Sequence, residues 1–296
     1  MSDILVRTID RTAGVRVVAA LTTDLVREAA RRHHASGLGA CALGRALTSS
    51  LLLATLTKGG ERVTVQIQAD GPLGGLTADA TDNGDVRGYL LRPEAARAPA
   101  EGRARVAEVL GRSGVVNVLR DLGLKERYAG QVSLTTGEID EDVEAYLRVS
   151  EQVPSALGCE VIMQEERILV AGGMLVQTLP DGTPEFVRES QHALRSGQLW
   201  ELLQADDLSP LQLAELVYGR PLELLDERPV RFQCRCSRAR VNGSLATLSI
   251  TDLDEMIADE GQAEVTCNFC NERYVVGRAE LETIRASVAH GPRQNN

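Results

Sequence analysis

The sequence predicts an α+β fold: a mixed α/β core, a helical linker and a small cysteine-rich tail. Three observations predict it. First, the β-rich runs and helical stretches do not alternate as regular βαβ units, which disfavours a doubly wound sheet. Second, 43% hydrophobic and 25% charged residues over 296 positions is an ordinary globular balance. That length suits about two domains. Third, of six cysteines, Cys234, Cys236, Cys267 and Cys270 fall within 37 positions, whereas Cys41 and Cys159 stand alone.

Residues 1–180 carry the mixed pattern. Strands are expected at Val15–Ala20, Arg62–Gln68, Val86–Leu91, Gln131–Leu134, Cys159–Met163 and Ile168–Val170. Asp70-Gly71 and Asn83-Gly84 supply turns, because such pairs tolerate positive φ. Helices are expected at Asp24–His33, Ala40–Lys58 and Ile139–Val149. Thr136 is the expected cap of the last, and Glu138, Asp140, Glu141 and Asp142 favour its positive N-terminus.

Residues 181–228 read as a metastable helical linker. Thr183-Pro184 makes a helix entry. Phe186, Val187, Ala193, Leu194, Leu199 and Trp200 then recur near helical spacing, with Gly197 interrupting. Ser209-Pro210 opens a second short helix carrying Leu213, Leu216 and Val217, closed by Gly219 and Pro221. Helices this short are marginal in water and need another surface. Charge singles out the same stretch. It holds 4 basic against 10 acidic residues, −6 of the chain's −10, against −3 in residues 1–180 and −1 in residues 229–296. A nucleic-acid partner usually leaves a basic footprint, and the balance here is acidic.

Residues 229–296 form the compact tail. After RFQCRC a helix is expected at Leu253–Asp259, with a Thr251–Asp254 capping pair and Gly261 as its stop. EVTCNFCNERYVV reads strand-turn-strand, followed by a helix from Ala279 to Ala289. The cysteine pattern is C-x-C, thirty intervening residues, then C-x-x-C. Four thiolates in two close pairs suit tetrahedral Zn²⁺, one per chain. Closing a 30-residue loop costs roughly 3 kcal/mol, whereas a structural zinc contributes about 10–16 kcal/mol. Spacing alone leaves open whether the ion is an inert staple or part of a switch.

CRCSRARV and EVTCNFCNERY resemble the cysteine-rich tail of the heat shock protein 33 family. So do RRHHASGLGACALGRAL, VQIQADGPLGGLTADATDNGDVRGYL and YAGQVSLTTGEIDEDVEAYLRVSEQVPSALG, in the family's order, so the resemblance covers nearly the whole chain. Ala69 stands where the family often has glycine, and the GRAEL ending of the tail differs without touching a ligand position. The resemblance implies a holdase chaperone that works without ATP and is not an enzyme. Its core would be residues 1–180, its linker 181–228 and its zinc-binding redox switch 229–296. Reduced protein would be inactive, with zinc on Cys234, Cys236, Cys267 and Cys270. Oxidation would form redox-active disulfides Cys234–Cys236 and Cys267–Cys270, release zinc, loosen the linker and expose apolar surface to unfolding client proteins under oxidative stress. A homodimer would accompany activation.

Other readings use the same residues. A zinc-ribbon nucleic-acid module would draw on Arg231, Arg235, Arg238 and Arg240, although a solvated face fits them better. A thiol oxidoreductase would need CNFC at the opening of a helix in a βαβ setting. Gly37–Ala42 fits G-x-G-x-x-A but follows an Arg-rich helical stretch rather than a strand, and Asp79–Leu90 begins like a calcium loop yet ends in Leu rather than Glu. His33-His34 reads as a helix cap, Cys41 and Cys159 as buried thiols, and Trp200 as either a client contact or a linker-docking anchor. No apolar run reaches the roughly 18 residues that span a bilayer, and no secretory signal pattern opens the chain, so a soluble cytoplasmic protein without membrane or nucleic-acid partners is expected.

Overall fold

A computed structural model of the chain describes residues 2–57, 61–95, 102–121, 128–205 and 208–289. It divides into two compact units, residues 1–233 and 234–296. The first opens with β1 (Ile4–Asp10), β2 (Val15–Leu21), α1 (Thr23–His33) and α2 (Gly37–Ala54). Then come β3 (Arg62–Ala69), β4 (Gly75–Thr81), β5 (Asp85–Leu90), α3 (Ala107–Leu110), β6 (Gly114–Asp121) and β7 (Tyr128–Ser133). Next are α4 (Ile139–Val149), β8 (Ser155–Gln164) and β9 (Arg167–Thr178). The linker stretch supplies α5 (Pro184–Ser196), α6 (Gln198–Leu203) and α7 (Pro210–Tyr218), and the unit ends with β10 (Glu223–Pro229) and β11 (Arg231–Phe232). This is the α+β class predicted from the sequence. Lys58, the expected end of one helix, and Asp206 and Asp207 of the acidic linker lie outside the described residues.

The unit is two sheets around one helix. One sheet runs β10-β1-β2-β9-β8 and the other β11-β5-β4-β3-β6-β7. α2 packs against β3, β4 and β5 on one side and β8 and β9 on the other. Its sequence, GLGACALGRALTSSLLLA, is small or apolar on every face, so all 18 residues are buried. Gly44 sets the approach: a Cβ there would lie 2.6 Å from Val161 and 2.7 Å from Val26. By length and composition α2 could cross a membrane, which corrects the expectation that no run is long enough; here it is wholly enclosed by protein. Its one charge, Arg45, is 2% exposed and is held by Glu138 at 2.5 Å and by Asp140.

The linker helices are not free. They cover the face of the first sheet opposite α2. There Leu194, Leu199, Leu203, Leu213 and Val217 meet Val6, Val17, Ala19, Met174 and Val176 in a second apolar cluster. Gly197 ends α5 in the left-handed region at φ 94°. Ser209 caps α7 in a reciprocal box with Gln212, and Gly219 ends it. Trp200 packs partly buried against this cluster, whereas Leu216 faces solvent at 48% exposure. β10 then joins the sheet edge, pairing antiparallel with β1 from Ile4↔Pro229 to Ile9↔Glu223.

Other local expectations are corrected. β1, β4, β6, β10 and α8 (Arg238–Leu245) went unanticipated. Thr136 does not cap α4; Glu138 sits at the cap, and the Asp142 carboxylate instead gathers the amides of Thr135, Thr136 and Gly137. In the tail, α9 (Ile250–Asp259) begins three residues before Leu253, and its capping box is Ser249 with Asp252. Asp254, released from that role, holds Arg285.

Candidate metal centre

The second unit consists of α8 and α9, the hairpin β12 (Gln262–Thr266) and β13 (Arg273–Gly277), and α10 (Arg278–Ala289). Its apolar core is seven buried side chains: Val241, Leu245, Leu253, Ala263, Val276, Leu281 and Ile284. Cys234 and Cys236 lie on the extended segment before α8, whose N-terminus is capped by Ser237 through the Arg240 amide. Cys267 and Cys270 occupy the turn between β12 and β13. There the Cys267 carbonyl accepts from the Asn271 amide at 2.8 Å, and Asn271 takes the left-handed conformation at φ 59° that the tight turn needs.

These elements bring all four sulfurs within 4.8 Å of one another. Cys234 Sγ lies 3.7 Å from Cys267 Sγ, and Cys236 Sγ lies 3.3 Å from Cys270 Sγ. A tetrahedral ion with bonds near 2.3 Å needs ligand sulfurs about 3.8 Å apart, so the donor set fits Zn²⁺ in size and chemistry. Tyr274 donates its hydroxyl to Cys236 Sγ at 3.2 Å. That partner was not anticipated, although NERY follows CNFC directly.

Proton affinities divide the cluster. Burial pushes the Cys234 thiol up, but the Cys236 amide and hydrogen bonds from the neighbouring cysteines outweigh it, leaving Cys234 at about 7. Burial drives Cys267 and Cys270 upward, and hydrogen bonds within the sulfur cluster raise Cys270 further. One thiolate, Cys234, forms readily, whereas Cys267 and Cys270 resist. A cation at the centre reverses that resistance, because each further negative sulfur then gains an attraction.

The remaining candidates resolve into structural roles. Cys41 and Cys159 are fully buried, and desolvation pushes Cys41 up to about 12 and Cys159 well above the ordinary thiol range. His34 ends α1 in the left-handed region, its amide donating to the Ala30 carbonyl. Gly37–Ala42 is the opening of α2, preceded by α1 and not by a strand. Asp79–Leu90 spans the β4–β5 hairpin, with Gly84 at φ 89° in its turn. Arg231 and Arg238, candidates for phosphate contact, are paired with Asp85 and Glu280. CNFC is a hairpin turn and not a helix opening, contrary to what a thioredoxin-like oxidoreductase would need.

Comparison with known proteins agrees with this architecture. The family model described as Hsp33 protein matches residues 3–277. The 33 kDa chaperonin of Bacillus subtilis is 38% identical over 285 residues, covering 96% of this chain and 98% of its own length. That of Geobacter sulfurreducens is 39% identical over 290 residues, covering 97% and 96%. The crystal structure of the 33 kDa chaperonin (heat shock protein 33 homologue) of Thermotoga maritima superposes with a TM-score of 0.85 at 32% identity, covering 96% of this chain and 98% of that one. With a family match along nearly its whole length and a four-sulfur cluster in its tail, the chain belongs to the Hsp33 family of chaperones.

Proposed function

We propose that this protein is a redox-regulated holdase, inactive while reduced and zinc-bound, that prevents unfolding proteins from aggregating under oxidative stress without using ATP. The observation that carries the reading is a lobe with a core of only seven buried apolar side chains and, beside them in the same unit, four sulfurs within 4.8 Å of one another. Cys234, Cys236, Cys267 and Cys270 would hold Zn²⁺, whose charge keeps the four sulfurs deprotonated and whose bonds cross-link the lobe. Thiolate is the form that reacts with oxidant. Two thiolates joined as a disulfide give up two electrons, and a peroxide that takes them, with two protons from solvent, is reduced to water. Once two sulfurs share a bond, the other two cannot hold the ion, and a core of this size does not keep the lobe folded. By resemblance to the family the pairs are Cys234–Cys236 and Cys267–Cys270.

The linker then becomes the relay. α5, α6 and α7 cover Val6, Val17, Ala19, Met174 and Val176, an apolar face that their release would open to clients. β10 and β11 follow α7 and lead directly into Cys234, so linker and lobe are joined by a short stretch of chain along which unfolding of the lobe would spread. The linker's −6 charge keeps the opened protein soluble. A cytoplasmic location and an oxidised homodimer complete the reading. Zinc and free thiols counted before and after peroxide with mild heating test it. One zinc and four reactive lobe thiols falling together supports the switch; full zinc retention after oxidation of the lobe contradicts it.

A further inference from the structure

Residues 223–232 close two sheets in succession. β10 forms the outer edge of the first beside β1, and β11 forms the outer edge of the second beside β5. The two holds are unequal. β10 is in register with β1 over six residues, Ile4 to Ile9, whereas β11 is in register with β5 over two, Arg231↔Asp85 and Phe232↔Val86. The Arg231 amide donates to the Gly84 carbonyl at 3.0 Å, and the Gln233 amide to the Val86 carbonyl at 2.9 Å. Cys234 is the next residue, so β11 is the strand that a loosened lobe reaches first.

What β5 holds in this occupant is backbone and apolar surface. Val230 is 7% exposed inside the cluster around α2. Phe232, two residues on, packs against the same cluster, with the Arg32 guanidinium 5.1 Å from its ring centroid. Arg231 between them is exposed and pairs with Asp85 at 2.7 Å, a contact of the kind that contributes little in water. Gly84 lets the backbone in: a Cβ there would lie 2.1 Å from the Pro229 carbonyl oxygen. Such a seat fits an extended chain with apolar side chains at alternate positions, whatever its sequence otherwise. The seat is also longer than its occupant. β5 continues to Leu90, and among the described residues no strand pairs with its outer side beyond Val86. An edge left in this way is a template for a further strand.

We propose that the outer edge of β5 is a client seat: β11 fills it in the reduced protein, and an extended apolar segment of an unfolding client fills it once β11 has peeled away. The seat rests on the redox reading and adds a second client site to the face beneath α5, α6 and α7. A client segment running from Gly84 to Leu90 makes ladder bonds that β11, ending at Phe232, does not make. The longer strand therefore displaces the shorter one.

Cross-linking on the full-length protein tests it, with reduced and carboxymethylated α-lactalbumin, a permanently unfolded protein, carrying a diazirine label as the client. Products mapped by mass spectrometry should lie at 84–91 in the oxidised protein. They should be about tenfold scarcer there in the reduced protein, where ladder hydrogen bonds hold β11 in place. A synthetic peptide copying residues 228–233 should compete at 84–91, and the same peptide carrying Val230→Ser and Phe232→Ser should not. Client cross-linked at Val17 or Met174 but absent from 84–91 overturns the seat and leaves the redox reading standing. Equal labelling of 84–91 in both states also overturns it, as does equal competition by the two peptides. Oxidised protein that captures no client anywhere contradicts the redox reading itself, and the seat falls with it.

Discussion

In residues 1–233, α2 is buried along all 18 positions between two sheets, and a second apolar cluster covers the far side of one of them. In residues 234–296, seven buried side chains serve a hairpin and its helices, and four sulfurs lie within 4.8 Å. The first unit is stable by burial, which no mild chemistry removes. The second, on the proposed reading, depends on sulfur chemistry that an oxidant or a chelator can alter. A chaperone switched by oxidation needs both kinds of unit, one that survives the stress and one that reports it.

The comparison breaks most readily at the sulfurs. Cys267→Ser or chelation should remove most of a contribution of about 10–16 kcal/mol. Exchange protection should vanish from α8 to α10 while α2 amides keep theirs. A lobe still protected without its ligands would reject the distinction. In the first unit, Arg45→Leu would strand Asp140 and Glu138 in a buried site, a loss of about 3–5 kcal/mol. Its thermal unfolding should shift down with zinc content unchanged. Leu213→Ala should weaken linker docking by about 2–4 kcal/mol, since Leu213 is 2% exposed in the second cluster. Trp200, the single tryptophan, reports that change by fluorescence. The smallest effect is expected from Ser249→Ala, which removes one capping box at about 1 kcal/mol. It should make the lobe more sensitive to peroxide without changing its zinc stoichiometry.

Much of this contrast was legible in the residues. The cysteine spacing marked the lobe, and the Thr183-Pro184, Gly197, Ser209-Pro210 and Gly219 signals bounded the linker helices because caps and stops are local chemistry. What escaped was non-local. GLTADAT of β4 lacks strand-forming character but is buried on both faces by its neighbours, and ELLDERP of β10 is mostly exposed and is a strand because β1 offers an edge. Linker and core share a sheet for the same reason. At the site, Tyr274 and the carboxylates around Arg45 were invisible because the partners are separated in sequence: Arg45 lies 95 positions from Asp140.

The central claim is that the chemical state of the four sulfurs, and not the fold of the first unit, decides chaperone activity. Light scattering from a thermally unfolding client tests it most directly, comparing reduced protein, peroxide-oxidised protein and a four-cysteine variant, all without ATP. Oxidised protein should suppress aggregation near stoichiometric ratios, reduced wild type should do so poorly, and the variant should resemble the oxidised form through loss of zinc. Equal suppression by reduced and oxidised wild type would make the sulfur cluster a staple and contradict the account.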